Sequence, residues 1–178
     1  MSALVISAYP GCGKSVYYRN HSEYEGHQYG QKILDSDSSL FSWIYDERGN
    51  KTDVRNPNFP NNYIKYIKEH METEDIIFVS SHKIVRDALA EADIPYATVF
   101  PKDTIENMKE WKSRFIDRGN PQQFVGFQME HWSEFLTDMK DELSPYAKKE
   151  LGVDTYPFIT SDLIAEIKEA YFKYQNRK

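Results

Sequence analysis

The chain has 178 residues, a formal net charge of −6 and 40% hydrophobic residues, which suits one compact domain spanning residues 1–178. Its single cysteine, Cys12, excludes an internal disulfide framework and fits a reducing compartment. No apolar run approaches the length of a membrane span. An acidic chain is not built to coat DNA or RNA. The expectation is therefore a cytoplasmic protein with a small-molecule site, no membrane partner and no duplex nucleic acid partner.

Apolar runs alternate with helical patterns. Ala3-Leu4-Val5-Ile6-Ser7 reads as a buried first strand, followed by a glycine loop and a helix to about His21. Lys32-Ile33-Leu34-Asp35 is a short second strand. A helix follows with Tyr63, Ile64, Ile67 and Met71 on one face, then Asp75 to Ser80, a central strand apolar on both faces. Ser81 is placed to cap the next helix, whose Ile84, Val85, Ala88, Leu89 and Ala92 recur at helical spacing. Tyr96 to Phe100 forms a fourth strand closed by Pro101. Asp103 and Glu106 suggest a capping box for a helix carrying Ile105, Met108, Trp111 and Phe115, broken by Gly119-Asn120-Pro121. One long helix then aligns Val125, Gln128, Trp132, Phe135, Met139 and Leu143. Residues 151–159 read as an edge strand or a loop, and Thr160 or Ser161 caps a last helix with Leu163, Ile164, Ile167, Ala170 and Tyr171 inward. This order predicts a three-layer α/β sandwich on a mostly parallel sheet with right-handed crossovers.

Between the first strand and its helix stands Ala8-Tyr9-Pro10-Gly11-Cys12-Gly13-Lys14-Ser15. Small residues let successive backbone N–H groups curl around an anion, and the helix N-terminus behind them favours negative charge. This is a P-loop, with Pro10, Gly11, Cys12, Gly13, Lys14, Ser15 and Val16 as the expected ATP-binding residues. Lys14 would reach the outer phosphates and the Ser15 hydroxyl would ligate Mg²⁺. The strict motif opens on glycine where this chain has Ala8. Cys12 stands at a helix N-terminus, where a thiol pKa can fall, but it reads better as the filler of a variable loop position.

The central strand ends in Ser80-Ser81-His82 and offers no acid for the Mg²⁺ shell. Acids do occur after the second strand, in Leu34-Asp35-Ser36-Asp37. Residues two apart in an extended segment point the same way, so both carboxylates can face the phosphates across the C-terminal edge of the sheet. Asp35 is assigned to the metal and Asp37 to the acceptor, two roles that could be exchanged. A P-loop followed by this Asp-x-Asp resembles the small-molecule kinases of the P-loop superfamily, such as shikimate and gluconate kinases and the nucleoside monophosphate kinase group. The chain also looks like short P-loop kinases encoded by bacteriophages. The likeness is firm over residues 1–40, reasonable in order of elements to about 118, and weak beyond.

That resemblance implies ATP as donor, Mg²⁺, an acceptor-binding insertion at about 38–74 and a lid at about 103–121. Within the insertion Arg55 is the candidate for an acceptor phosphate, since guanidinium binds phosphate bidentately. Phe41 and Trp43 are either stacking platforms or plain core. His82 and Arg86, with Lys83, follow the central strand beside the expected acceptor pocket, where a solvated helix face is the equal alternative. Lys109, Lys112, Arg114 and Arg118 form a basic cluster, from which Arg114 and Arg118 are expected to stabilise charge on the transferring group.

The expected activity is transfer of the ATP γ-phosphoryl group to a small acceptor, first a (deoxy)nucleoside monophosphate. The rivals are a hydroxyl acceptor (nucleoside, sugar or polyol) and a partner-dependent ATPase. The aromatic tail Tyr171, Phe172 and Tyr174 either packs the core or forms a homodimer surface.

Overall fold

The computed structural model describes residues 2–178. Five strands build one sheet: β1 (Leu4–Ala8), β2 (Ile33–Asp35), β5 (Ile76–Val79), β6 (Tyr96–Pro101) and β7 (Ala147–Leu151), in the spatial order β2-β5-β1-β6-β7. Every pairing is parallel, with Ile6 opposite Phe78 on one side and Ala97 on the other. Strands buried on both faces need apolar residues at every position, which is why β1 and β5 carry no alternation. One face packs Leu4, Ile6, Ala8, Phe78 and Val99 against α1 (Lys14–His21), α5 (Ile105–Asp117), α6 (Gln122–Glu130), α7 (Trp132–Asp141) and α8 (Ser161–Asn176). The other packs Ala3, Val5, Ile77 and Val79 against α3 (Asn61–His70) and α4 (Lys83–Glu91). The expected three-layer sandwich is the observed architecture.

Three local readings are corrected, and the open one at 151–159 is decided. The long helix after Pro121 is two helices, with His131 at the junction, and Leu143 lies beyond them at 94% exposure. The fifth strand runs over Ala147–Leu151, and most of 151–159 is loop. α5 is capped by Thr104, whose hydroxyl accepts from Asn107 N at 3.1 Å, while the Asp103 carboxylate accepts from Trp132 Nε1 at 2.8 Å. α4 has His82 at its N-cap with no side-chain cap, so Ser81 does not cap it, and Ile84 is exposed where Arg86 is buried.

The insertion holds a short helix, α2 (Ser39–Ser42), and an antiparallel hairpin, β3 (Trp43–Tyr45) and β4 (Lys51–Arg55), as a separate two-stranded sheet. The hairpin turn is made by Asp46, whose Oδ1 accepts from Arg48 N and Asn50 N, both at 2.9 Å.

Candidate functional site

The loop between β1 and α1 owes its shape to two glycines. Gly11 and Gly13 stand at φ +83° and +91°, where a side chain is strained. Ala8 instead ends β1 in extended backbone opposite Val99 and is fully buried, so its methyl group fills core rather than obstructing the loop.

Three successive loop carbonyls are held from outside. Trp111 Nε1 donates to Pro10 O at 3.1 Å, Arg114 donates to Gly11 O at 3.0 Å, and Ile159 N donates to Cys12 O at 2.9 Å. Cys12 N is itself used, donating to Tyr9 O at 3.3 Å, and with the carbonyls fixed outward the remaining loop N–H groups can serve an anion. Arg114 is also flanked by the rings of Trp111 and Phe158, with its guanidinium carbon 3.9 and 4.2 Å from their centroids. The structure therefore puts Arg114 to use in bracing the loop. Arg118, one turn later, is exposed and lies 5.8 Å from the Phe115 ring. The Cys12 thiol is fully buried, and burial pushes it up to about 12, against the lowering influence of Lys14, Arg114 and Arg118. A helix N-terminus does not make this thiol reactive, because its side chain points into the core.

Ser15 Oγ donates to Asp35 Oδ2 at 2.9 Å, which joins the start of α1 to the end of β2. The Lys14 ammonium is held below its usual range, first by burial and then by Arg118, against Asp35, Cys12 and Asp37. Lys14, Asp35, Asp37 and Arg118 thus share one neighbourhood. Alternation holds through the acid segment: Ser36 turns inward, donating to Phe78 O at 2.6 Å, while Asp35 and Asp37 face the loop side. The Asp37 Oδ1 accepts from Ser39 N at 2.9 Å, starting the turn into α2. Buried Tyr63 bonds Ser36 Oγ at 2.6 Å beneath the pair, and its hydroxyl is pushed up to about 12 by burial.

His82 completes the group. Although the side chain is exposed, its imidazole is held below its usual range by partial loss of hydration, then by Lys14 and Arg55, with Asp37 and Arg86 as further neighbours. Arg55 and Lys51 both sit over the Trp43 ring, at 3.9 and 4.4 Å from its centroid, so the indole is already covered. Phe41, half-buried, packs 5.1 Å from Tyr63 and 4.9 Å from Tyr66 against the edge of the core. Arg86 is 3% exposed and bound to Glu142 and Ser81 O, so it is not a free acceptor ligand. The Lys83 ammonium pairs with Asp87 at 2.7 Å. Pro10 and Val16 flank the loop, with Val16 exposed.

Sequence reasoning missed Phe158, an exposed ring beside Gly13 in the segment with no clear periodicity, and Glu142, which no local pattern marks. It read Trp111 as core alone, although the indole N–H also binds the loop.

Among the described residues no helix is long and apolar enough to cross a membrane. The strand order and the glycine loop between β1 and α1 define a P-loop α/β sandwich. No family model matches this chain, and no curated protein matches it. Among solved structures, a gluconokinase from Sinorhizobium meliloti 1021 is similar at 16% identity and TM-score 0.48, over 96% of each chain.

Proposed function

We propose that this protein transfers the γ-phosphoryl group of ATP to a small acceptor, first a nucleoside monophosphate, deoxy forms included. The observation that carries this reading is the 2.9 Å bond between Ser15 Oγ and Asp35 Oδ2 beside Lys14. A hydroxyl and a carboxylate in contact are hard oxygen ligands suited to Mg²⁺, which keeps several waters and takes its remaining ligands from phosphates. Substrate oxygens would complete the shell around the ion. When bound, the ion would neutralise charge on the phosphate oxygens.

The chain's own residues do the rest by positioning and charge. Loop N–H groups and Lys14 hold the phosphates, Arg118 stabilises charge that builds on the transferring group, and Phe158 offers a flat apolar surface beside the loop for the donor base. The segment 118–121 after α5 acts as the lid tip. On the acceptor side Asp37, His82 and Arg55 converge, and Arg55 leaves Trp43 to take an acceptor phosphate. A hydroxyl acceptor is the second reading, favoured by Asp37, which is exposed and shows a bond only at Oδ1, leaving a carboxylate oxygen to take a proton.

The test is ATP consumption with Mg²⁺ against all ribo- and deoxynucleoside monophosphates, then nucleosides, gluconate and polyols, with Lys14→Ala as control. Turnover with monophosphates, lost in the control, supports the first reading. Turnover only with hydroxyl compounds selects the second, and none with either class sinks both and leaves a partner-dependent ATPase.

A further inference from the structure

The segment Ser80-Ser81-His82 joins β5 to α4 and carries His82 toward Asp37 and Lys14. Irregular backbone at a sheet edge holds a fixed shape only when its polar groups are bonded. Ser7 Oγ donates to Ser80 O at 2.9 Å, and His82 N donates to Ser80 Oγ at 3.3 Å. The Ser81 carbonyl is taken by Arg86 Nε at 3.1 Å, from one turn into the helix. Arg86 in turn donates through its terminal nitrogen to Glu142 Oε2 at 2.5 Å.

This last contact is the unusual one. Arg86 and Glu142 side chains are 3% and 13% exposed, so a charge pair is spent in a nearly dry place. Glu142 directly follows α7 and lies 56 positions along the chain, in the C-terminal half. The Tyr96 hydroxyl, buried among them without a bonded partner, is raised above its usual range by burial and then by Glu142. Burying a charge pair adds little net stability over apolar side chains of equal volume. What a planar guanidinium provides that a hydrocarbon cannot is a fixed donor on Ser81 O with its orientation set by Glu142.

We propose that Arg86 and Glu142 are positioning residues for the acceptor side: Glu142 orients the Arg86 guanidinium, whose hold on the Ser81 carbonyl sets the Ser80–His82 segment against Asp37. The pair touches neither donor nor acceptor and acts through His82. This rests on the phosphotransfer reading for its kinetic consequence, but its structural core can be read without any substrate.

The test compares wild type, Glu142→Gln, Arg86→Lys and the double variant Arg86→Met with Glu142→Met. The double variant restores packing without charge, so its thermal midpoint stays near that of wild type even where the single variants fall. The first readout is the His82 imidazole ¹H–¹³C signal of the ligand-free protein, assigned by His82→Gln. The second is KM for whichever nucleoside monophosphate turns over, beside KM for ATP. The expected result is a moved His82 signal in all three variants, and a KM for the monophosphate raised about tenfold with KM for ATP unchanged. A double variant with wild-type stability, His82 signal and KM makes the pair merely structural and overturns the proposal. If wild type phosphorylates no monophosphate, the phosphotransfer reading has lost its first acceptor. The His82 signal still decides the brace: moved supports it, unmoved refutes it.

Discussion

Replacing Gly11 by alanine should cost more stability than replacing Gly13, although both stand in left-handed backbone. An L-residue in that conformation costs roughly 1–2 kcal/mol, and both variants bear it. The added methyl groups meet different neighbours. At Gly13 the Cβ would lie 3.4 Å from Phe158 Cβ, an ordinary contact. At Gly11 it would lie 3.0 Å from Trp111 Cδ1 and Nε1 and 3.2 Å from Phe115 Cε1, against two buried rings. The indole must then give by a few tenths of an ångström, which lengthens its 3.1 Å bond to Pro10 O, worth up to about 1 kcal/mol. The expected totals are about 2–3 kcal/mol for Gly11→Ala and about 1–2 for Gly13→Ala. Urea unfolding without nucleotide measures both. Trp111→Phe supplies a second arm, because it removes the indole N–H whose bond to Pro10 O the added methyl group disturbs. The cycle of Gly11→Ala with Trp111→Phe should show coupling of about 0.5 kcal/mol or more, and the same cycle with Gly13→Ala should be additive. Equal costs at the two glycines, or additivity in both cycles, would refute the bracing of the loop by Trp111.

Ser15→Ala and Asp35→Asn should each raise the Mg²⁺ concentration needed for half-maximal ATP turnover, while unfolding free energy changes by less than about 1 kcal/mol, since neither side chain is core. A Mg²⁺ dependence unchanged in both variants contradicts their assignment. Arg118→Ala should lower kcat roughly 10²–10³-fold with stability within about 0.5 kcal/mol of wild type. Arg114→Ala should instead destabilise by about 1–3 kcal/mol and raise KM for ATP, because it loses Gly11 O and two aromatic faces. His82 has a folded pKa below its ordinary 6.5. As pH falls through 6.5 the unfolded chain takes up this proton first, so stability declines from there down to the folded pKa and then levels. Denaturant titration at stepped pH should show that decline reduced in His82→Gln, and an identical slope removes the claim.

The loop proposed to hold phosphate was written locally: strand, glycines, lysine, serine and helix occupy consecutive positions, and each step is dictated by its own residues. The acid pair was legible for the same reason, since alternation in an extended segment places Asp35 and Asp37 together whatever surrounds them. Elements with weak local signals were less legible. The hairpin over Trp43–Arg55 has strands of three and five residues, too short for periodicity to register, and its turn is built by Asp46 side-chain bonds. The continuous apolar stripe from Val125 to Met139 masked the break at His131, because both helices present that stripe to the same core.

The roles of the arginines divide along the same line. From sequence Arg55 was a candidate for an acceptor phosphate, Arg86 stood even with a solvated helix face, and Arg114 and Arg118 shared one expected lid role. Their differences come from partners far along the chain: Glu142 lies 56 residues from Arg86, and Gly11 lies 103 from Arg114. A guanidinium binds whichever carboxylate, carbonyl or ring the packing of layers brings to it. Sequence therefore determined which charges this protein carries and where its glycine loop lies, while only the packing of helices against the sheet decided which arginines were tied to other groups.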